Sequence, residues 1–199
     1  SILSETPKGK STWLFSATMP KEVERIARTY MAAPKEISTG KKNEGADNLK
    51  HIYYVVSPRD RYLALKRIVD FYPEIFGIVF CRTKAETQEV ADLLIKDGYS
   101  ADALHGDLSQ SQRDFVMKRY RSRTLQMLVA TDVAARGIDV DSITHVINYN
   151  LPEDVENYTH RSGRTARAGR SGISIVIATP KEMGRIKDIE RILNKKFEK

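Results

Sequence analysis

The sequence predicts an α/β fold: a doubly wound parallel sheet flanked by helices. Three observations predict it. Apolar, β-rich runs alternate with helical patterns through most of the 199 residues. Several runs are apolar at consecutive positions, as strands covered on both faces must be. Helix-capping signatures then follow the strands, which suits right-handed βαβ crossovers.

The first β-rich run is "WLFSA" at 13–17, followed by a helical pattern with Val23, Ile26, Ala27 and Tyr30 on one face. Residues 1–40 are too few to bury a core of their own, so they are expected to be the terminal part of a preceding domain. Residues 41–50, mixed in charge and without periodicity, read as a linker. Residues 51–199 then form one domain, with strands expected at 52–56, 76–81, 101–104, 125–130, 143–149 and 173–178. Thr83 with Glu86, and Ser109 with Gln112, have the capping-box spacing, and Gly98 closes the helix that Thr83 opens. Asp154 caps a further helix that Gly163 ends. Ile186, Ile189, Ile192, Leu193 and Phe197 recur at helical spacing, a face packed on the sheet.

Composition excludes several classes of protein. The chain is 41% apolar and 30% charged, as soluble globular domains are. Its apolar runs, such as "IVIA" at 175–178, fall far short of a membrane span. "SILSETPKGKSTW" at the start lacks the apolar core of a secretory signal. One cysteine, Cys81, allows no internal disulfide and no cysteine-cluster metal site, so a reducing cytoplasm is expected. His51, His105, His145 and His160 lack metal-ligand spacing, and no metal site is expected on this chain. A net charge of +7 leans towards a polyanionic partner.

In open parallel sheets, ligands bind beyond the carboxyl ends of the strands. Here the segments after the strands are Arg82-Thr83, His105-Gly106-Asp107 and "TDVAARGID" from Thr131 to Asp139. Gln110 and Arg113 lie in the first turn of the next helix. Taken singly, each segment is an ordinary turn. Together along one edge they suit phosphate oxygens. Asp132 and Asp139 remain open to metal binding, capping or a ribose contact. "SETPKGKST" imitates a phosphate-binding loop, but a strand follows it where a helix should, so it is set aside. The densest positive charge is "HRSGRTARAGR" at 160–170. Its small residues let backbone and guanidiniums approach one ligand, and the arginine fork matches phosphate.

Together these motifs resemble the C-terminal RecA-like domain of a DEAD-box RNA helicase. "SAT" (16–18) is similar to motif III, "IVFCRT" to motif IV, "QSQR" to motif IVa, "ATDVAARGIDV" to motif V and "HRSGRTARAGR" to motif VI. Motif VI opens on His, where the DEAH group usually has Gln, and "ATDVAARG" leans towards bacterial members. Ser162 and Ala166 replace the frequent Ile and Gly.

The resemblance implies that ATP and single-stranded RNA bind across a cleft between two RecA-like domains. Arg164 and Arg167 would be arginine fingers on the ATP phosphates, and Asp139, with Gly137 beside it, would hold the ribose. His160, with Ser16 and Thr18, would couple the two domains. Thr83, Gly106, Gln110, Arg113, Thr131 and Gly137 would contact RNA sugar and phosphate with little sequence preference. Arg161 and Arg170 are left to structural or solvated roles. Mg²⁺ and the attacking water would be held by the first domain, so residues 1–199 alone are expected to be inactive. Residues 1–40 could pack on another copy of the chain. Two alternatives stay open: a stand-alone RNA-binding or regulatory module without ATPase activity, and a complete small nucleotide enzyme.

Overall fold

The computed structural model of the protein describes residues 10–15, 21–31, 33–37, 48–166 and 170–199. The chain divides into two compact units, 1–44 and 45–199.

In the first unit, α1 (Lys21–Tyr30) forms where the helical pattern predicts it. Ile26 and Tyr30 stand half exposed on it. The strand expected at 13–17 is not formed in its described part. Trp13 and Phe15 stack on one another in irregular chain, exposed to solvent. An extended segment becomes a strand only when a neighbour takes its backbone hydrogen bonds, and the described residues of this unit supply no other strand. Ser16 and Thr18 lie outside the described residues, as do 41–47 of the expected linker.

The second unit is built on six strands: β1 (Leu49–Val55), β2 (Gly77–Phe80), β3 (Ala101–Leu104), β4 (Met127–Ala130), β5 (His145–Asn148) and β6 (Gly172–Ala178). All pairings are parallel, in the order β1-β6-β5-β2-β4-β3. β1 begins at Leu49, so Leu49 and Lys50 belong to the sheet rather than to a linker. Every residue of β2, β4 and β5 is buried, which explains their unbroken apolar runs.

Alternate residues feed two cores. Val79, Val129, Ile147 and Ile175 point to one face, covered by α2 (Arg61–Phe71) and α3 (Lys84–Lys96) through Leu65, Ile68, Val90 and Leu94. Ile78, Phe80 and Leu128 point to the other, under Val116 and Tyr120 of α4 (Gln110–Arg121) and the short α5 (Asp132–Ala135). On that same face, α6 (Val155–Ser162) and α7 (Met183–Leu193) pack Tyr158, Ile186, Ile189 and Leu193 on Val176 and Ala178.

The C-terminal face differs from the expectation in two positions. Ile192 is 52% exposed, and Phe197 is not on the helix at all. Asn194, at φ 49°, ends α7, and the chain turns back so that Phe197 stacks on His51 with ring centroids 4.8 Å apart. Glu198 then exchanges backbone hydrogen bonds with His51 and Tyr53, covering the outer edge of β1.

Candidate nucleotide and nucleic-acid interface

Because every strand is parallel, helices α3 to α6 all begin on the same edge of the sheet. For α3, α4 and α6 the N-caps are the residues the sequence marks; for α5 the cap is Thr131. The Thr83 hydroxyl accepts from the Glu86 amide at 3.1 Å, and Ser109 and Gln112 form a full capping box. Thr131 accepts from the Ala134 amide at 3.4 Å, and Asp154 from the Asn157 amide at 2.7 Å. As an acceptor in its cap, each threonine hydroxyl keeps its proton free to donate outward, for instance to a phosphate oxygen. Each cap is worth about 1 kcal/mol to its helix.

β2, β4 and β3 are neighbours, so Thr83, Thr131 and Gly106 fall on adjoining positions of this edge. The turn after β3 is held from both sides. Lys84 Nζ meets Asp107 Oδ1 at 2.5 Å, a bond that holds the Asp107 carboxyl below its usual pKa. His105 Nδ1 accepts from the Asp107 amide, which leaves Nε2 to donate to Gln88 Oε1 at 3.0 Å. Arg113 reaches the His105 carbonyl at 3.5 Å. Gln110, exposed, donates to Asp114. Gly106, Arg113, Thr83 and Thr131 are thus grouped on one stretch of the edge.

A second group lies where α5 and α6 approach each other. A shallow cleft, open to solvent, is lined by Asp132, Arg136, Asn157, His160, Arg161 and Arg164, with Phe80 and Ala135. Arg164 donates to the Ile138 carbonyl at 3.3 Å, which sets its guanidinium beside Gly137 and Asp139. Gly137 has φ 74° and open space around it, so the backbone turn rather than crowding calls for glycine. His160 is partly exposed, 4.0 Å from Glu156. Asp139 is exposed. Arg167 lies outside the described residues.

The two groups are joined by Arg161, which is 4% exposed. Its Nε and one terminal nitrogen grip both oxygens of Asp132, at 2.6 and 2.8 Å. The other terminal nitrogen donates to Asn148 Oδ1 at 3.0 Å and to the Asn150 carbonyl at 2.9 Å, and the guanidinium lies 5.0 Å from the centre of the Phe80 ring. The structural role expected of Arg161 is what the geometry gives, and Arg170 is exposed. Asp132, left open between metal, cap and ribose, is the partner of Arg161.

Two residues of this network escape sequence reasoning. Asn148, fully buried, accepts from Arg161 and donates to the Ile175 carbonyl. Asn150 accepts from the Arg82 amide and donates to Glu86, tying the start of α3 to the end of β5. Their signal was available: two asparagines in an otherwise apolar strand end, "VINYN", need partners once buried. Ser162 likewise exchanges a buried hydrogen bond of 2.9 Å with Ser174. Cys81 is core, its thiol pushed well up in pKa by burial. Among the described residues no group of three or more His, Cys, Asp or Glu could hold a metal ion, and no helix is long and apolar enough to cross a membrane.

Comparison with known proteins fits this geometry. The model of the helicase conserved C-terminal domain matches residues 63–169. The DEAD-box ATP-dependent RNA helicase CshA of Bacillus cereus is 40% identical over all of this chain, which spans 38% of that relative's length. A DEAD box protein from the hyperthermophile Methanococcus jannaschii is 42% identical, with a TM-score of 0.72 covering 99% of this chain and 53% of the other. S. cerevisiae Dbp5 bound to RNA and ADP BeF3 is 27% identical, with a TM-score of 0.88 covering 98% and 52%. The helicase domain model alone covers more than half of the chain, and the chain belongs to the DEAD-box RNA helicase family, whose C-terminal helicase domain it carries.

Proposed function

We propose that this chain is the C-terminal half of an ATP-dependent RNA helicase, supplying arginine fingers for ATP hydrolysis and a surface for RNA sugar and phosphate. One observation carries the reading: the phosphate-compatible residues of the sheet edge fall into two groups, joined by the Asp132–Arg161 pair. Thr83, Gly106, Gln110, Arg113 and Thr131, with Gly137, bind RNA. Hydroxyl and guanidinium donors read its backbone, so sequence preference is low. Arg164, beside Gly137 and Asp139, reaches the ATP phosphates, with Asp139 on the ribose. Arginine fingers of this kind contribute roughly 10³ to 10⁵ in rate. CshA is named an ATP-dependent RNA helicase, and Dbp5 binds RNA with ADP BeF3, which supports carrying both ligands to this chain.

Thr131 caps α5, and Asp132 is its first residue. RNA on Thr131 and phosphate on Arg164 therefore pull on one short helix and on the arginine that holds it. That is a physical route by which each ligand favours the other's site. Arg167 joins Arg164 on the phosphates, and Ser16, Thr18 and His160 couple the domains; for Ser16, Thr18 and Arg167 the support is the motif resemblance alone. Mg²⁺ is held by the preceding domain in this reading, and residues 1–199 alone neither hydrolyse ATP nor unwind RNA. Residues 1–40 complete that domain, 41–48 link the two, and the intact protein works in the cytoplasm. The direct check is Arg164→Ala in the intact protein, with ATP turnover and RNA affinity measured on the same preparation. Turnover is abolished and RNA binding largely survives if the two groups have separate ligands.

A further inference from the structure

Outside the sheet edge, α4 carries a feature that packing does not require. Its inner face is satisfied by Val116 and Tyr120 in the core, yet Phe115 on its outer face is 62% exposed. Residues three and four apart share a helix face, so Ser111, Phe115, Lys118 and Ser122 form the outer crest. Phe115 is not loose. Arg119 donates to Asp102 at 2.7 Å and sets its guanidinium 5.7 Å from the centre of the Phe115 ring. One side of the ring is thus held by an arginine that is itself anchored, and the rest is open to solvent.

We propose that the outer face of α4 is a second RNA contact, on which an unpaired base stacks on Phe115 while Lys118 and Arg121 take adjoining phosphates. The proposal rests on the reading of the sheet edge as RNA-binding, because α4 begins there with Gln110 and Arg113. Along the helix axis Lys118 lies about 7 Å and Arg121 about 12 Å beyond Arg113, a span of a few nucleotides. Both cations are exposed and enter no ion pair among the described residues. The acid on this helix, Asp114, already accepts from Gln110. An aromatic ring among cations is the pattern that holds single strands, by stacking any base and neutralising the backbone. A protein partner would call for apolar neighbours around the ring, and here they are serine, lysine and arginine. Arg123 offers the contrast: it covers the buried Phe76 at 4.6 Å, where no face remains for a ligand.

The test uses this chain with two fluorescein-labelled oligouridylates, one of about six nucleotides that fills only the edge and one of about twenty that also reaches α4. Phe115→Leu is expected to weaken the longer RNA about tenfold and leave the shorter unchanged. Lys118→Gln with Arg121→Gln is expected to lower the salt slope for the longer RNA by about 1.4. Arg113→Ala should weaken both, and thermal unfolding of the Phe115 and Lys118/Arg121 variants should match the parent. If Arg113→Ala weakens both RNAs while Phe115→Leu changes neither, the platform is wrong and the sheet-edge reading stands. If Arg113→Ala changes neither, the edge reading fails and the platform falls with it. Loss of self-association in Phe115→Leu with unchanged RNA binding would assign the face to a protein contact and overturn the proposal.

Discussion

Arg161 and Asp132 meet through two hydrogen bonds of 2.6 and 2.8 Å, and this pair is the joint between α6 and α5. Arg161 is almost wholly buried while the Asp132 side chain keeps 36% exposure. Removing Asp132 leaves an uncompensated buried guanidinium. Asp132→Ala is therefore expected to cost ~3 kcal/mol in urea unfolding, the low end for a broken buried pair because Asp132 is partly solvated. Arg161→Lys should not restore the parent stability, since an ammonium cannot grip both carboxylate oxygens and both asparagines at once.

Two glycines separate crowding from backbone freedom. A Cβ at Gly172 would collide with Thr165 Oγ1 and stand 2.7 Å from the Ala166 amide, so something must shift. Gly172→Ala is expected to lower stability by ~2–3 kcal/mol. Gly137→Ala meets open space and bears only the left-handed backbone, ~1 kcal/mol. A thermal melt of the two variants side by side checks the order.

Ala166 stands where the family frequently has glycine, and its φ is 57°. Ala166→Gly is expected to stabilise the chain by up to ~1 kcal/mol, partly offset by the greater freedom of glycine in the unfolded chain. An unchanged or lower melting temperature would contradict this.

Acid should destabilise the fold before its carboxylates titrate. Burial lowers the pKa of His51 and of His145 to about 4, from an ordinary value of 6.5. Between those values the unfolded chain binds protons that the folded one refuses, so stability falls as pH drops from about 6.5 towards 4. Asp97 and Asp107, held low by Lys66 and Lys84, lose their contribution only below the ordinary aspartate range. Urea unfolding at stepped pH should show the first decline, and His51→Phe should reduce it by about half, leaving the share of His145. Tyr158, the neighbour of His51, would keep its buried serine partners, Ser162 and Ser174.

What could be read in the sequence followed from local rules. Thr83, Ser109 and Asp154 cap helices because capping needs only their own first turn. Gly98, at φ 89°, ends α3 for the same reason. What could not be read depends on partners distant in sequence. Trp13–Phe15 has strand propensity and no described strand beside it. α2 was missed because Leu63 and Phe71 are exposed and blur its apolar face. At the site, the motif resemblance set Arg161 apart from Arg164 but could not name its partners. Only the fold shows Arg161 turned inward to Asp132, Asn148 and Asn150 while Arg164 stays near the cleft.

The sharpest measurement compares one affinity and one rate in the intact protein carrying Arg164→Ala. The account predicts that ATP turnover falls by at least about 10³-fold. RNA affinity, held by Thr83, Gly106, Arg113 and Thr131, should stay within a few-fold of the parent. Arg113→Ala should do the reverse, weakening RNA binding while RNA-saturated turnover persists. Equal loss of RNA binding and turnover in Arg164→Ala would mean that the arginine cluster is an RNA clamp, and would contradict the division of the sheet edge into two sites.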